Sequence, residues 1–385
     1  MKMMNGLIMN SKDERQLQIL KKYTGAGTLI GATGFGKTYT ALKIIQKSLI
    51  KNKNHNFIVV VPTVNLKEQW ENQINKLKIT NTLVYVINTA CALNSECTLL
   101  ILDEIHMYGG DVFSNVFKIK YKYILGLTAT LDKDSNIYNL INKYCPVFDE
   151  VTLEECRNNN WVTNYKVYNL SVDFTKEEAS KYNKIDYLYR KSEYALGGRF
   201  VAFDNANYHI KNQTEHKSVA FMYLNAVKQR RSLLINAQNK IKAIQEITEL
   251  LPNRKTLVFC ESIDFAKEVN DLLPKSTIYH SKVNKKIKDA SLEQFKNGEI
   301  NTMISVKALN AGLDIPDCSL GIIASGNSKT IDDVQRVGRV IRVNEDKENS
   351  IIINLFVKNT QDEIWLQKRQ LHQIPIPIQK VQDIL

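Results

Sequence analysis

A chain of 385 residues, 44% hydrophobic and 24% charged, is long enough for two to three buried cores and is neither disordered nor fibrous in composition. Its 52 Lys and Arg against 40 Asp and Glu leave a net charge of +12, which suits a polyanionic partner. No apolar run approaches the ~20 residues of a membrane-spanning helix and no signal-peptide pattern opens the chain, while six scattered cysteines without a Cys-x-x-Cys read as reduced thiols in a cytoplasmic protein, neither a zinc site nor a disulfide frame.

Along the chain, Thr28-Leu29-Ile30 is a short apolar strand that runs into Gly31-Ala32-Thr33-Gly34-Phe35-Gly36-Lys37-Thr38. Glycines let a backbone turn tightly enough for its N–H groups to point at phosphate oxygens. At this spacing Lys37 reaches the β- and γ-phosphates of a nucleoside triphosphate, and the Thr38 hydroxyl ligates Mg²⁺. Ala41, Leu42, Ile44, Ile45 and Leu49 then recur at helical spacing. That places a helix N-terminus, with its partial positive charge, under the phosphates.

Phe57–Val61 is a second strand, followed by Pro62-Thr63 and a helix opened by Leu66, Gln69 and Trp70. Leu99–Leu102 is a third, apolar enough to be buried on both faces of a parallel sheet, and it ends in Asp103-Glu104-Ile105-His106. Ligands of open α/β sheets lie at such carboxyl ends. Asp103 is placed to hold Mg²⁺ and Glu104 to orient or deprotonate a hydrolytic water. Tyr123–Thr128 is a further strand, ending in a hydroxyl-rich turn. This alternation of strand and helix over residues 1–150 predicts a wound parallel sheet.

Residues 151–250 depart from that alternation. Val167–Val172 reads as a strand, and Thr175-Lys176-Glu177-Glu178 has a capping-box pattern that opens helical text running to about Leu251. Gly197-Gly198 breaks the run, so several helices are expected here. Residues 176–242 hold 13 Lys or Arg against 6 Asp or Glu, an excess of 7, interleaved with nine Tyr and Phe. Cations among rings suit a surface that tracks a nucleic-acid strand. Equally, the rings suit the core of a helical bundle, and the two uses are compatible. Residues 251–385 return to alternation, with strands expected at 256–259, 277–279, 302–306, 320–324 and 351–356.

Taken with Leu309–Pro316 and Gln335-Arg336-Val337-Gly338-Arg339-Val340-Ile341-Arg342, this text resembles the superfamily 2 helicases with an Asp-Glu-x-His box, over nearly the whole chain and in family order. The closest look is to phage and viral DNA helicases and repair translocases, and the abundance of Lys, Asn and Ile fits such an origin. The resemblance matches 31–38 to motif I, Pro62-Thr63 to Ia, Thr89 to Ib, 103–106 to II, 128–130 to III, 257–262 to IV, 309–316 to V and 335–342 to VI. It implies two RecA-like α/β domains, at 1–150 and 251–385, with parallel sheets flanked by helices. A basic, aromatic-rich helical insertion lies at 151–250.

The resemblance also assigns roles. Gln16, with Gln18 competing, reads the adenine. Gly312 and Asp314 approach the nucleotide, Gln335 sits near the γ-phosphate, and Arg339 and Arg342 supply charge to it. Pro62, Thr63, Thr89, Ser262 and Lys307 contact the nucleic-acid backbone. His106 couples the nucleotide site to motif III or VI. The implied activity is ATP- and Mg²⁺-dependent helicase or translocase action on single-stranded, forked or branched DNA, in phage or viral replication, recombination or repair. Movement would be 3′→5′ and the working form a monomer. The rivals are an RNA helicase of the same superfamily, a remodeller of branched DNA that unwinds little duplex, and a nucleic-acid-binding module without turnover.

Overall fold

The computed structural model describes residues 3–4, 7–8, 10–133, 135–280, 282–306, 318–326, 340, 349–370 and 375–384. The chain divides into two compact units, the first running from the N-terminus to Tyr165 and the second taking up at Lys166.

In the first unit, β1 (Met3–Met4) and β2 (Leu7–Ile8) form a small antiparallel pair. There follow α1 (Ser11–Lys22), β3 (Ala26–Gly31), α2 (Lys37–Lys51), β4 (Phe57–Val61), α3 (Val64–Lys76), β5 (Thr82–Val86) and α4 (Ile87–Ala90). Then come β6 (Glu96–Asp103), β7 (Lys120–Thr128), α5 (Asn136–Tyr144), β8 (Val147–Val151) and α6 (Leu153–Asn158). The strands make one parallel sheet in the order β5-β4-β6-β7-β3-β8. Every residue of β4 is buried, as expected of a strand covered on both faces. Register sets Asp103 beside Leu127 and Thr128 beside Ile30, so the carboxyl ends of β6, β7 and β3 form one row.

The second unit opens with β9 (Tyr165–Val172) and four helices: α7 (Lys176–Ala195), α8 (Ala202–Lys211), α9 (Lys217–Ile235) and α10 (Gln238–Leu250). It continues with β10 (Thr256–Cys260), α11 (Ile263–Leu272), β11 (Ser276–His280), α12 (Lys285–Asn297), β12 (Thr302–Val306), β13 (Leu320–Ile323), β14 (Ser350–Val357), α13 (Gln361–Arg369) and β15 (Ile376–Ile378). Its seven-stranded sheet has the order β11-β12-β10-β13-β14-β9-β15.

The expected helical region at 151–250 is therefore not one body. Residues 151–165 stay with the first unit, where Trp161 donates to Ser11 Oγ at 2.9 Å. Beyond them β9 joins the second sheet beside β15, because its apolar side chains Tyr168 and Leu170 enter that unit's core. Within 176–250 the helical reading holds. Thr175 and Glu178 form the expected capping box, and Gly197 and Gly198, at φ 93° and 90°, make the left-handed turn that ends α7. The rings divide between core and surface. Tyr182 and Tyr223 are buried and Tyr189 packs on the helical core, whereas Tyr187, Tyr194, Phe200, Phe203, Tyr208 and Phe221 are exposed.

The helical region joins its sheet through the apolar face of α10 and, among the described residues, a buried ion pair. Lys240 Nζ on α10 lies 2.6 Å from Asp362 Oδ2 on α13 and donates to the Leu234 carbonyl at 3.0 Å. Asp362 in turn accepts from the Val357 N–H at 3.0 Å. Removing one partner leaves the other buried and uncompensated, at about 3–5 kcal/mol, whereas an apolar pair of like volume is close to neutral. Asp362→Ala is expected to show a loss of that size in urea unfolding, and Lys240→Met with Asp362→Leu is expected to recover most of it. A single variant that loses less than about 1 kcal/mol contradicts this role for the pair.

Candidate nucleotide site

The strand β3 delivers the chain into the glycine-rich loop, and α2 begins directly after it. Gly36 caps α2 at φ 95°, a left-handed conformation that other residues adopt only with strain, and Gly34 lies at φ 89°. The first turn of α2 has neither a side-chain cap nor an acidic residue, so its N–H groups and dipole face the loop. Lys37 Nζ donates to the Gly31 carbonyl at 2.8 Å. Thr33, Gly34, Gly36, Lys37 and Thr38 are partly exposed, whereas Phe35 is buried and packs on Trp161 with ring centroids 5.6 Å apart. The variable position of the loop is thus its anchor.

Helix α1 braces the loop from behind. Gln16 is buried and its Nε2 donates to the Phe35 carbonyl at 3.2 Å, while its Oε1 accepts from Lys43 at 3.2 Å. Gln18 is exposed, so of the two glutamines only Gln16 touches the loop. A Cβ on Gly36 would come within 3.0 Å of Gln16 Nε2, which would have to give by a few tenths of an ångström. Lys12 Nζ donates to the Gly34 carbonyl at 2.7 Å, and burial lowers its pKa. The helix is itself pinned by Arg15, which meets Asp149 at 2.8 Å and Glu155 at 2.7 Å. Burial pushes the Asp149 carboxyl up, but the bonds from Arg15 and Lys22 outweigh it and hold the group below the usual carboxylate range.

One strand beyond β7 stands the acidic pair. Asp103 is buried and Oδ2 accepts from Trp70 Nε1 at 2.8 Å, while Oδ1 accepts from the Glu104 N–H at 3.1 Å. Burial and the Glu104 charge raise the Asp103 pKa above the usual range, against Trp70 and Lys37, which favour the anion. Glu104 takes a left-handed backbone at φ 53°, which turns the chain out of β6. His106 Nδ1 stands 2.9 Å from Thr128 Oγ1 and 3.4 Å from Glu104 Oε2. Thr128 Oγ1 donates to the Thr130 carbonyl at 2.7 Å, so it accepts from His106, whose proton is on Nδ1. This hydrogen bond links the end of β6 to the end of β7.

These donors fit a triphosphate with a hard divalent cation. The loop offers N–H groups, a lysine and a helix N-terminus, and Thr38 with Asp103 offers oxygens of the kind Mg²⁺ takes. Sequence reasoning missed Lys12 and the Trp70–Asp103 bond. Both are contacts between residues distant in sequence, and neither carries a local signal beyond residue type.

The expected nucleic-acid contacts are partly placed. Thr63 and Ser262 occupy the same position in the two units, directly after a parallel strand and capping the next helix. Thr63 Oγ1 accepts from the Leu66 N–H and Ser262 Oγ from the Phe265 N–H, both at 3.3 Å. Pro62 is half-buried and Thr89 is exposed on α4. Lys307, Gly312, Asp314, Gln335, Arg339 and Arg342 lie outside the described residues. Among the described residues no helix is long and apolar enough to cross a membrane, no group of metal-binding side chains stands apart from this site, and the cysteines are free.

A carboxyl group holds a cation only when ionised. Trp70→Phe removes a donor that favours ionisation, so Asp103 then titrates higher. As pH falls, Mg²⁺-dependent binding of a fluorescent nucleotide is expected to fail at a higher pH in Trp70→Phe than in the unaltered chain. Coincident acid limbs contradict the bond's influence on Asp103.

Two family models match the sequence: the res subunit of type III restriction enzymes over residues 8–94, and the conserved C-terminal helicase domain over 239–344. The chain is 29% identical over 362 residues to a Sulfurisphaera tokodaii protein named DNA 3′-5′ translocase XPB2, covering 87% of this chain and 79% of that one. It is 21% identical over 277 residues to the DNA 3′-5′ helicase XPB of Mycobacterium tuberculosis, covering 71% of this chain but only 42% of that protein. The crystal structure of the Pyrococcus furiosus Hef helicase domain shares the fold at a TM-score of 0.59 and 16% identity, covering 94% of this chain and 99% of that one. With the glycine-rich loop, the Asp-Glu-x-His box and two parallel-sheet units in place, the chain belongs to the superfamily 2 helicases.

Proposed function

We propose that the chain is an ATP-driven DNA translocase or helicase that grips the nucleic-acid backbone and moves 3′→5′. The observation that carries this reading is the row of strand ends in the first unit. There the loop after β3, Thr128 at the end of β7 and Asp103-Glu104 at the end of β6 stand side by side. Lys37 and the α2 N-terminus bind the triphosphate, Gln16 reads the base, and Thr38 with Asp103 holds Mg²⁺. When bound, such a cation would neutralise charge on the phosphates. Glu104 positions the attacking water and passes its state to Thr128 through His106. By the helicase resemblance, Gly312, Asp314 and Gln335 would serve the nucleotide, and Arg339 and Arg342 would stabilise the charge that grows on the γ-phosphate. The names of the relatives support DNA as the track.

Thr63 and Ser262 each stand at a helix N-terminus after a parallel strand, a placement suited to phosphate oxygens. Pro62, Thr89 and Lys307 extend that backbone grip, which leaves sequence unread. The working form is a monomer in the cytoplasm.

The deciding assay compares ATP hydrolysis with single-stranded, duplex and forked DNA and with RNA. DNA is expected to accelerate turnover more than RNA does; greater stimulation by RNA makes the chain an RNA motor, and none by either removes the motor reading. Lys37→Ala and Glu104→Gln are expected to abolish turnover, with Glu104→Gln still binding ATP; normal turnover in Glu104→Gln takes the water-positioning role from it. Arg339→Ala is expected to slow hydrolysis by about 10³-fold or more while changing ATP affinity little. Equal loss of both moves Arg339 from catalysis to binding.

A further inference from the structure

The twenty-residue helix α7 sorts its side chains by chemistry. Its two mid-helix acids are engaged with neighbours. Asp186 meets Arg230 at 2.9 Å and Arg190 at 2.7 Å, and Glu193 accepts from the Tyr189 hydroxyl. Tyr189 stacks on Tyr223, with Arg230 over its ring at 4.0 Å. The other face carries Lys184, Tyr187, Lys191 and Tyr194, all exposed, at spacings of three, four and three residues. Residues so spaced lie along one side of a helix, here over about 15 Å of its axis. Past the Gly197-Gly198 turn come Arg199, Phe200 and Phe203. Tyr187 is 65% exposed, Tyr194 87%, Phe200 95% and Phe203 56%, so these rings contribute little to their own unit's packing.

We propose that this face is a stacking platform for unpaired bases, which adds a base-dependent grip on a single DNA strand to the motor's backbone grip. The inference rests on the DNA-motor reading and extends it to the strand's bases. Three physical points carry it. Exposed aromatic rings alternate with cations at helical spacing, so bases and phosphates of one strand meet matching groups. Among the described residues, Lys184 and Lys191 make no ion pair, so their charge remains for phosphates. Lysine is depleted in protein–protein interfaces, which argues against a protein partner. Bases inside a duplex are already stacked, so the rings select an unpaired strand.

The test measures binding of the full chain to three fluorescent probes of equal length: oligo-dT, an abasic strand with the same phosphates, and blunt duplex DNA. The unaltered chain is expected to prefer oligo-dT over the abasic strand. Tyr187→Ala with Tyr194→Ala is expected to lower oligo-dT affinity about tenfold or more while abasic affinity stays within about twofold. Tyr187→Phe with Tyr194→Phe keeps the rings and is expected to keep the preference. Phe200→Ala, at a nearly fully exposed position, is a second variant that leaves packing intact, and it is expected to lose part of the preference. Equal loss on both strands, or no loss in either variant, overturns the platform. A change in sedimentation from dimer to monomer with DNA binding intact assigns the face to a second copy instead and also overturns it. If duplex DNA stimulates ATP hydrolysis while no preference for bases appears, the platform fails and the motor reading stands. If no nucleic acid stimulates hydrolysis, the motor reading itself fails.

Discussion

The parallel register of β6, β7 and β3 is the constraint on which the site depends. A one-residue slip in a parallel pair would carry every buried side chain to the opposite face. Towards their carboxyl ends these strands are largely apolar and buried, which weakens that particular penalty. Register is instead held by what the strands carry at their ends. Trp70 bonds Asp103 from α3, His106 bonds Thr128 across from β6 to β7, and Gln16 and Lys12 bond the loop from α1. A chemical site and a structural lock are thereby the same set of hydrogen bonds.

This arrangement explains the electrostatics of the acidic pair. A buried carboxyl beside a second one resists ionisation. Asp103 carries that cost, and Trp70 and Lys37 oppose it only in part. A divalent cation would relieve the remainder, because it adds positive charge where two carboxyls converge. Glu104 adds a left-handed backbone to the same place, in keeping with the concentration of unusual backbone conformations at functional positions.

Much of this was legible in the sequence, and the reasons differ by residue. The loop at 31–38 and the Asp103-Glu104 pair could be read because fixed spacing and flanking strand and helix signals are local properties. The capping box at Thr175–Glu178 and the break at Gly197-Gly198 were legible for the same reason. The sequence could not tell the environments of Gln16 and Gln18 apart, since both lie on α1; the fold buries Gln16 against Phe35 and leaves Gln18 exposed. Lys12, Trp70 and Trp161 act through partners 22 to 150 residues away, which no local pattern encodes. The aromatic segment was ambiguous because rings serve cores and surfaces alike. The fold sends Tyr182 and Tyr223 inward and leaves Tyr187 and Tyr194 outside. The boundary at 165 was missed because β9 reads as any strand, and only pairing shows which sheet receives it.

The most direct test of the account is a crystal structure of the chain with Mg²⁺ replaced by Mn²⁺ and ADP–beryllium fluoride as the triphosphate mimic. The fluoride group is expected against the α2 N-terminus and Lys37, with an anomalous Mn²⁺ peak between Thr38 Oγ1 and the Asp103 carboxylate. Nucleotide bound away from the loop, or a metal peak remote from both Thr38 and Asp103, would contradict it.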